Sequence, residues 1–174
     1  MTIPRVIGLD LSITATGIAR PDGTTHTVTT KNIGDARLLA IRHEINLAYG
    51  LGIDLAVIED LPTHAKAAGI TGMVHGTVRT YLLDRDIPYA LITPASLKKY
   101  ATGKGNSGKP EMAVAAFKRA GAEFADDNQC DAWWLRAAGL DHLGHPIAPM
   151  PAAQRAALTA VTWPTLSEEP THAA

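Results

Sequence analysis

Residues 5–19 read RVIGLDLSITATGIA, and this stretch decides the fold. The apolar run over 3–11 is rich in branched residues and predicts a buried strand. One carboxylate, Asp10, interrupts that run, and burying a carboxylate is costly unless it is paired or bound to a cation. We therefore predict a strand that carries a functional acid to its end, followed by a turn and a second strand over 17–20.

Beyond this stretch, the pattern predicts a short meander and then alternating helices and strands. The turn signal PDG at 21–23 joins the second strand to a third over 24–30, so strands one to three run antiparallel. Further strands are predicted over 55–59 and 87–93, and helices over 36–49 (capped by Asp35), 64–86, 94–100, 111–120 and 127–143. This order predicts an α/β fold, a mixed five-stranded sheet with an antiparallel meander, parallel strands and flanking helices.

Length and composition bound the protein class. The chain has 174 residues, 46% hydrophobic and 19% charged, which is typical of one globular domain. We assign residues 1–145 to that domain and 146–174 to a Pro- and Ala-rich tail that frays in part. No apolar run approaches the ~20 residues of a membrane helix, and the N-terminus is unlike a signal peptide. A cytoplasmic protein with no membrane partner is therefore expected.

Three acids stand where strands or helices would present them together. Asp10 ends the first strand, Glu59 ends the strand over 55–59, and Asp131 lies early on the last helix. Carboxylates without cysteine or histidine partners favour hard cations, Mg²⁺ or Mn²⁺. Two such ions about 3.5–4 Å apart can clamp a phosphodiester, with Asp10 as the bridging ligand. The alternative is that Asp10 and Glu59 are structural strand-end residues.

A fourth ligand is expected from the start of the last helix. Asp127 lies four residues before Asp131, so both side chains share one face of that helix. Asn128 is the alternative, as a neutral ligand that binds through its amide oxygen. Asp126 can instead cap the helix and take no part in the chemistry.

A basic segment lies between Lys98 and Arg119. It holds six lysines and arginines against one acid, Glu111, a local charge of six minus one, or +5. The residues predicted to contact DNA phosphates are Lys98, Lys99, Lys104 and Lys109. Lys109 opens a helix and is also expected to stabilise negative charge in the transition state. The alternative is an ordinary exposed loop.

The helix predicted over 64–86 carries three glycines on one face. Gly69, Gly72 and Gly76 follow each other at helical spacing. Because glycine weakens a helix, such a set indicates that another backbone approaches closely. That neighbour is either a second subunit or another part of the chain.

Four segments in order resemble the RuvC family of Holliday junction resolvases, within the RNase H-like superfamily. They are IGLDLSITATGIA at 7–19, LAVIED at 55–60, ITPASLKKYATGKGNSGKPEM at 92–112 and DNQCDAWWLRAA at 127–138. The resemblance covers about 5–143. It implies a bacterial or phage-encoded homodimer that nicks branched DNA with Mg²⁺ and leaves 5′-phosphate and 3′-hydroxyl ends. In such a protein Asp10, Glu59 and Asp131 would be the catalytic acids.

One position departs from the family pattern, and it keeps other functions open. The family carries Asp or His three residues before its last catalytic aspartate, where this chain has Asn128. One alternative is therefore a catalytically weak protein of the same fold that binds branched DNA. A less favoured one is an actin-like or sugar-kinase-type ATPase, because residues 8–19 also resemble the phosphate-binding opening of that class. That class needs two such domains, and 174 residues are too few for both.

Overall fold

A computed structural model of the chain describes residues 3–61 and 68–166. Its centre is one sheet in the order β3-β2-β1-β4-β5. The strands are β1 (Val6–Asp10), β2 (Thr16–Ala19), β3 (Thr25–Val28), β4 (Leu55–Glu59) and β5 (Tyr89–Ile92). β2 pairs antiparallel with β1 and β3, whereas β4 pairs parallel with β1 and β5. The predicted five-stranded mixed sheet is confirmed.

Helices cover both faces of this sheet. They are α1 (Ala36–Tyr49), α2 (Ala68–Leu83), α3 (Pro94–Thr102), α4 (Lys109–Ala120), α5 (Asp127–His142) and α6 (Ala152–Arg155). The helix predicted over 64–86 corresponds to α2, and its residues 64–67 lie outside the described residues. Within the described part of the chain, no helix is both long and apolar enough to cross a membrane.

The start of α1 differs from the prediction. Asp35 precedes the helix, but its side chain makes no capping hydrogen bond, and its own backbone is helical at φ −66 and ψ −21. A capping side chain reaches the helix amides from an extended backbone, as at Thr93 before α3. Thr93 has φ −65 and ψ 148, and its hydroxyl accepts from the Ser96 amide at 3.2 Å. The predicted Asp35 cap is therefore wrong.

The sheet separates two hydrophobic cores. On one face, Ile7, Leu9 and Ile58 pack with α1 and α2. On the other face, Val6 and Val57 pack with α3, α4 and α5. Successive side chains of a strand point to opposite faces, so the residues two and four positions after Val6 lie on its side of β1. The acids that end β1 and β4 therefore face α5.

Two glycines let α5 lie directly on β1 and β2. A Cβ built on Gly8 would overlap the carbonyl oxygen of Ala132, and one built on Gly17 would overlap that of Asn128. Only glycine permits so close a backbone approach. The first turns of α5 are therefore pressed onto the sheet, which brings Asp131 over β1.

Side chains of β3 hold α5 in its axial position. The Thr27 hydroxyl donates to Asp126 Oδ2 at 2.6 Å, and the Thr25 hydroxyl donates to Gln129 Oε1 at 3.1 Å. Both acceptors belong to the N-terminal end of α5. The edge strand of the meander thus sets where the acidic end of α5 stands relative to β1.

Part of the segment assigned to the tail is folded onto the domain. Within the described residues 146–166, residues 152–158 form α6 and a 3₁₀ turn. Ala157 and Leu158 are buried, and the turn contacts α3. Residues 167–174 lie outside the described residues.

A polar contact and a ring stack attach this segment to α5. Arg155 forms an ion pair with Asp141, whose side chain is only 1% exposed. Asp141 Oδ2 also accepts from the Tyr100 hydroxyl at 3.1 Å. Trp163 stacks on His142, with ring centroids 4.0 Å apart. These contacts explain the order of the segment, since its few large side chains find partners on α3 and α5.

Candidate active site

Asp10 and Glu59 end two neighbouring parallel strands. Leu9 of β1 pairs with Ile58 of β4, so the residues that follow them lie side by side at one edge of the sheet. Paired strands are about 4.8 Å apart, which brings the two carboxylates within short electrostatic range. The strand ends therefore bring together the first two acids predicted from the sequence.

Asp131 of α5 joins these two carboxylates. Burial, and next the negative charge of Asp131, raises the pKa of Asp10 to about 7. Burial, followed by the charges of Asp10 and Asp131, raises the pKa of Glu59 to about 8. Burial also raises the pKa of Asp131. The three acids share one electrostatic environment in which each carboxylate disfavours the negative charge of its neighbours.

Two of the predicted lysines face this cluster. Lys109 and Lys98 both lower the pKa values of Glu59 and Asp131, against the larger effect of burial. Lys98 lies on α3, and Lys109 is the first residue of α4. Positive charge from two separate helices thus lies beside the acids, where a phosphate would be attracted.

Three polar residues at the N-terminus of α5 make different contacts. Asp127 forms an ion pair with Lys109 at the rim of the site. Asp126 caps the helix by accepting from the Gln129 amide at 3.0 Å, which confirms the capping alternative. The Asn128 side chain also donates to Asp126 and helps to lower its pKa. The choice between Asp127 and Asn128 as a fourth ligand stays a prediction.

The remaining predicted DNA-binding lysines lie further out. Lys99 is exposed on α3, and Lys104 is exposed in the loop that follows it. Lys104 lines a cavity of about 600 Å³ together with Lys118 and Arg119 of α4. These side chains extend the positive surface away from the acids, along α4.

The donor set suits a divalent cation. Three carboxylates, all on the α5 side of the sheet, are oxygen ligands of the kind that Mg²⁺ and Mn²⁺ prefer. Burial, and next the neighbouring carboxylates, raise the pKa of Asp10 and of Glu59, so their charged forms are disfavoured and a bound cation would favour them. Within residues 3–61 and 68–166, no three His, Cys, Asp or Glu side chains are grouped closely enough to hold one ion as placed. Ligation by all three acids therefore requires side-chain rotation at backbone positions that β1, β4 and α5 already fix.

Gly8 and Gly17 are the site-forming residues that sequence reasoning missed. Both lie beside Asp10, Gly8 two residues before it on the same strand face and Gly17 paired with it on β2. The sequence did contain a signal for this close approach. Each glycine stands in a buried strand, where a branched residue is usual, on the face that carries the acid. Without either glycine, α5 and Asp131 would stand further from the sheet.

Comparison with known proteins was made by sequence and by structure. No protein-family model matches the sequence, and no curated protein matches it either. The structure of Thermus thermophilus RuvC superposes with a TM-score of 0.66 at 18% identity, over 84% of this chain and 99% of that chain. The chain has a RuvC-like fold.

A second solved structure gives the same result. T. thermophilus RuvC in complex with a Holliday junction substrate matches the RuvC-like fold of this chain with a TM-score of 0.67 at 18% identity. The match covers 85% of this chain and 99% of that one. At this identity the likeness establishes the fold, so the function has to be argued from the site itself.

Proposed function

We propose that this protein is a divalent-metal-dependent endonuclease that cuts Holliday junctions or related branched DNA. One observation carries the proposal: three partly buried carboxylates with raised pKa values face Lys98 and Lys109 at one edge of a RuvC-like sheet. A cluster of acids beside positive charge is what metal-assisted phosphodiester hydrolysis requires. The products would carry 5′-phosphate and 3′-hydroxyl ends.

The roles of the residues follow from their positions. Bound Mg²⁺, or Mn²⁺ in its place, would supply an activated water and stabilise the leaving oxygen. Asp10 would be the central ligand, since its carboxylate interacts electrostatically with those of Glu59 and Asp131, and Asp127 is our candidate for the fourth. Lys109 is placed to stabilise negative charge on the phosphate.

DNA binding would extend from this centre along the basic segment. Lys98 lies near the acids and would also contact the phosphate backbone. Lys99 and Lys104 follow it on the exposed end of α3 and in the next loop. Contacts to phosphates carry no sequence information, so these lysines would position DNA without selecting a base sequence. Their contribution should weaken as the salt concentration rises.

A cleavage panel tests this function. Purified protein is incubated with four-way, three-way, flap and linear duplex DNA in Mg²⁺ or EDTA, and the ends of the products are mapped. We expect metal-dependent nicking of at least one branched substrate, and a loss of about 10³-fold or more in Asp10→Asn. Asp35→Asn, an exposed acid before α1, is the matched control and should cleave normally.

A protein that binds branched DNA without cutting it is the second candidate. Two observations favour it: the Asn128 side chain is engaged by Asp126, and the described acids are not grouped around one ion as placed. In that case junctions would bind but no substrate in the panel would be nicked in Mg²⁺ or Mn²⁺. Asp10→Asn would then bind junctions as wild type does, and neither protein would cleave them.

We also propose that the protein acts as a homodimer through the exposed face of α2. Nothing among the described residues comes within 4 Å of a Cβ built on Gly69, Gly72 or Gly76, so these glycines face away from the part of the chain that the structure describes. Met73 and Leu83 lie on the same stripe and are 49% and 60% exposed. An apolar stripe with small residues suits isologous packing of two copies.

Sedimentation tests the dimer. The wild-type protein should sediment as a dimer at micromolar concentration, and Met73→Lys should shift it towards the monomer with its circular dichroism spectrum unchanged. Ile33→Lys, at an exposed position before α1, is the control and should stay dimeric. A wild-type protein that stays monomeric at all concentrations would refute the proposal.

A further inference from the structure

A groove between α4 and α5 lies next to the acids and has no role in the function described so far. It is a cavity of about 670 Å³, lined by Val114 and Phe117 of α4, by Phe124 of the connecting loop, and by Cys130 of α5. We call it the α4–α5 groove. Its volume is within the range of small-molecule sites, which run from about 300 to 1,000 Å³.

The wall of the α4–α5 groove is aromatic and exposed. Phe117 is 55% exposed and Val114 is 50% exposed, although neighbouring positions of α4 are buried. The Phe124 ring packs on Trp133 with centroids 5.8 Å apart, so it is supported from behind. Phe117 is thus open to solvent, and Phe124 is partly buried against Trp133. Such a pair of rings suits a planar, apolar occupant that stacks on them.

The groove is continuous with the proposed active site. Its wall includes Lys109 and Asp127, the ion pair at the rim of the acid cluster. Phe117 lies eight residues after Lys109 on α4, a distance of ~12 Å along the helix axis. Stacked nucleotides are about 3.4 Å apart, so a strand whose phosphate lies at the acids reaches Phe117 within about three or four nucleotides.

The charge of the groove favours a base over a phosphate. Its charged lining residues are one cation, Lys109, and three acids, Glu123, Asp126 and Asp127, a net charge of one minus three, or −2. This charge repels the DNA backbone. Carboxylate oxygens accept hydrogen bonds from the amino groups of cytosine, adenine and guanine, so a neutral base fits where a phosphate does not.

We propose that the α4–α5 groove binds an unstacked nucleobase, from a nucleotide close to the phosphate that lies at the acids. The inference rests on the proposed function, because DNA has to pass the acid cluster. Phe117 and Phe124 stack on the base, and the acidic rim favours bases with amino groups. A protein partner fits less well, since a chain that fills the groove would also cover Lys109 at the mouth of the site.

The chain offers a direct probe of this groove. Phe117 and Phe124 are its only two phenylalanines, and both line the groove. Labelling with 4-fluorophenylalanine therefore gives two ¹⁹F signals, which Phe117→Tyr assigns. In EDTA, where metal-dependent cleavage is absent, a four-way junction should shift both signals. A junction that lacks the bases within about four nucleotides of the branch should bind and leave both signals in place.

Binding affinity gives a second readout. Phe117→Ala should weaken junction binding by about 5- to 100-fold, as expected when a stacked base loses its aromatic partner. Phe117→Tyr keeps the ring and should retain the wild-type affinity. Ile33→Ala, at a residue that is 80% exposed and distant in sequence, is the control and should also bind normally.

The outcomes separate this inference from the proposed function. Signals that shift equally with the abasic junction, or that stay fixed while DNA binds, overturn the nucleobase site. Signals that move only with protein concentration show that a second copy fills the groove, and they overturn it as well. A protein that shows the base-dependent shift but never cleaves DNA supports the groove and refutes the nuclease. A protein that binds no DNA refutes both.

Discussion

The two faces of the sheet differ in how their helices approach the strands. On the α1–α2 face, Ile7, Leu9 and Ile58 form an ordinary side-chain core. On the α5 face, Gly8 and Gly17 remove side chains from the interface, and the helix backbone rests on the strands. Both faces belong to the same strands, whose successive residues point to opposite faces. The two faces differ because the glycines and the acids occupy the positions that point towards α5.

This difference explains why the candidate chemistry lies on one face only. Close packing of α5 places Asp131 beside Asp10 and Glu59, which burial then holds at raised pKa values. The α1–α2 face has side chains between helix and sheet, and the acid-bearing strand positions point away from it. A short helix-to-sheet distance is thus the structural condition for the acid cluster.

Adding one methyl group on each side of the sheet should give the largest difference in stability between two variants. Gly8→Ala forces a Cβ into the Ala132 carbonyl, so we expect it to destabilise the fold by about 3 kcal/mol or more. Gly50→Ala, at the helical end of α1, meets only an ordinary contact with the Leu47 carbonyl oxygen at 3.4 Å and should be neutral or stabilise by about 0.5–1 kcal/mol. Urea unfolding followed by circular dichroism measures both. Equal effects at the two sites would show that α5 does not rest on β1.

The pH dependence of stability should report the acid cluster. Folding raises the pKa of Asp10 to about 7 and that of Glu59 to about 8, so the folded state binds more protons than the unfolded state between about pH 4 and 8. The contribution of these groups to stability is full below about pH 4 and is lost as the pH rises through 7 and 8.

Glu59→Gln isolates this effect. The measured quantity is the unfolding temperature of Glu59→Gln minus that of wild type, in EDTA. This difference should increase by several degrees from pH 5 to pH 9, since 1 kcal/mol corresponds to about 2–4 °C for a chain of this size. Asp35→Asn, the exposed control, should show no such trend. A difference between Glu59→Gln and wild type that stays constant with pH would contradict the raised pKa.

The smallest effect is expected at the outer side of the α5 face. Arg155→Ala leaves the buried Asp141 carboxylate with the Tyr100 hydroxyl as a neutral partner. Because the Arg155 side chain is 49% exposed, we expect a loss of about 1–2 kcal/mol, less than for a fully buried pair. Lys118→Ala, on the exposed side of α4, is the control for urea unfolding. No change in Arg155→Ala would show that the C-terminal segment adds nothing to the domain.

The sequence was sufficient for the sheet, the helices and three of the acids. Asp10, Glu59 and Asp131 stand in short apolar patterns, and strand ends and helix spacing follow directly from such patterns. The roles of Asp126 and Asn128 were not decidable, because capping depends on backbone angles at one residue. The Asp35 cap was wrong for the same reason.

Tertiary packing accounts for the other differences. The helix contact at Gly8 and Gly17 joins segments more than a hundred residues apart, and no local pattern reports it. The segment after Gly144 has few large side chains, so its composition predicts fraying, yet Leu158 and Trp163 find partners on the domain. A few apolar residues are enough to order a segment when they pack on a surface that is already folded.

The central claim is that Asp10, Glu59 and Asp131 form a divalent-metal site, and Mn²⁺ titration by calorimetry tests it most directly. At pH 8, where protons compete least with the metal, the wild-type chain should bind up to two ions. Asp10→Asn should weaken this binding by at least about tenfold, and Asp35→Asn should leave it unchanged. Equal Mn²⁺ binding by wild type and Asp10→Asn, or no binding by wild type, would contradict the claim.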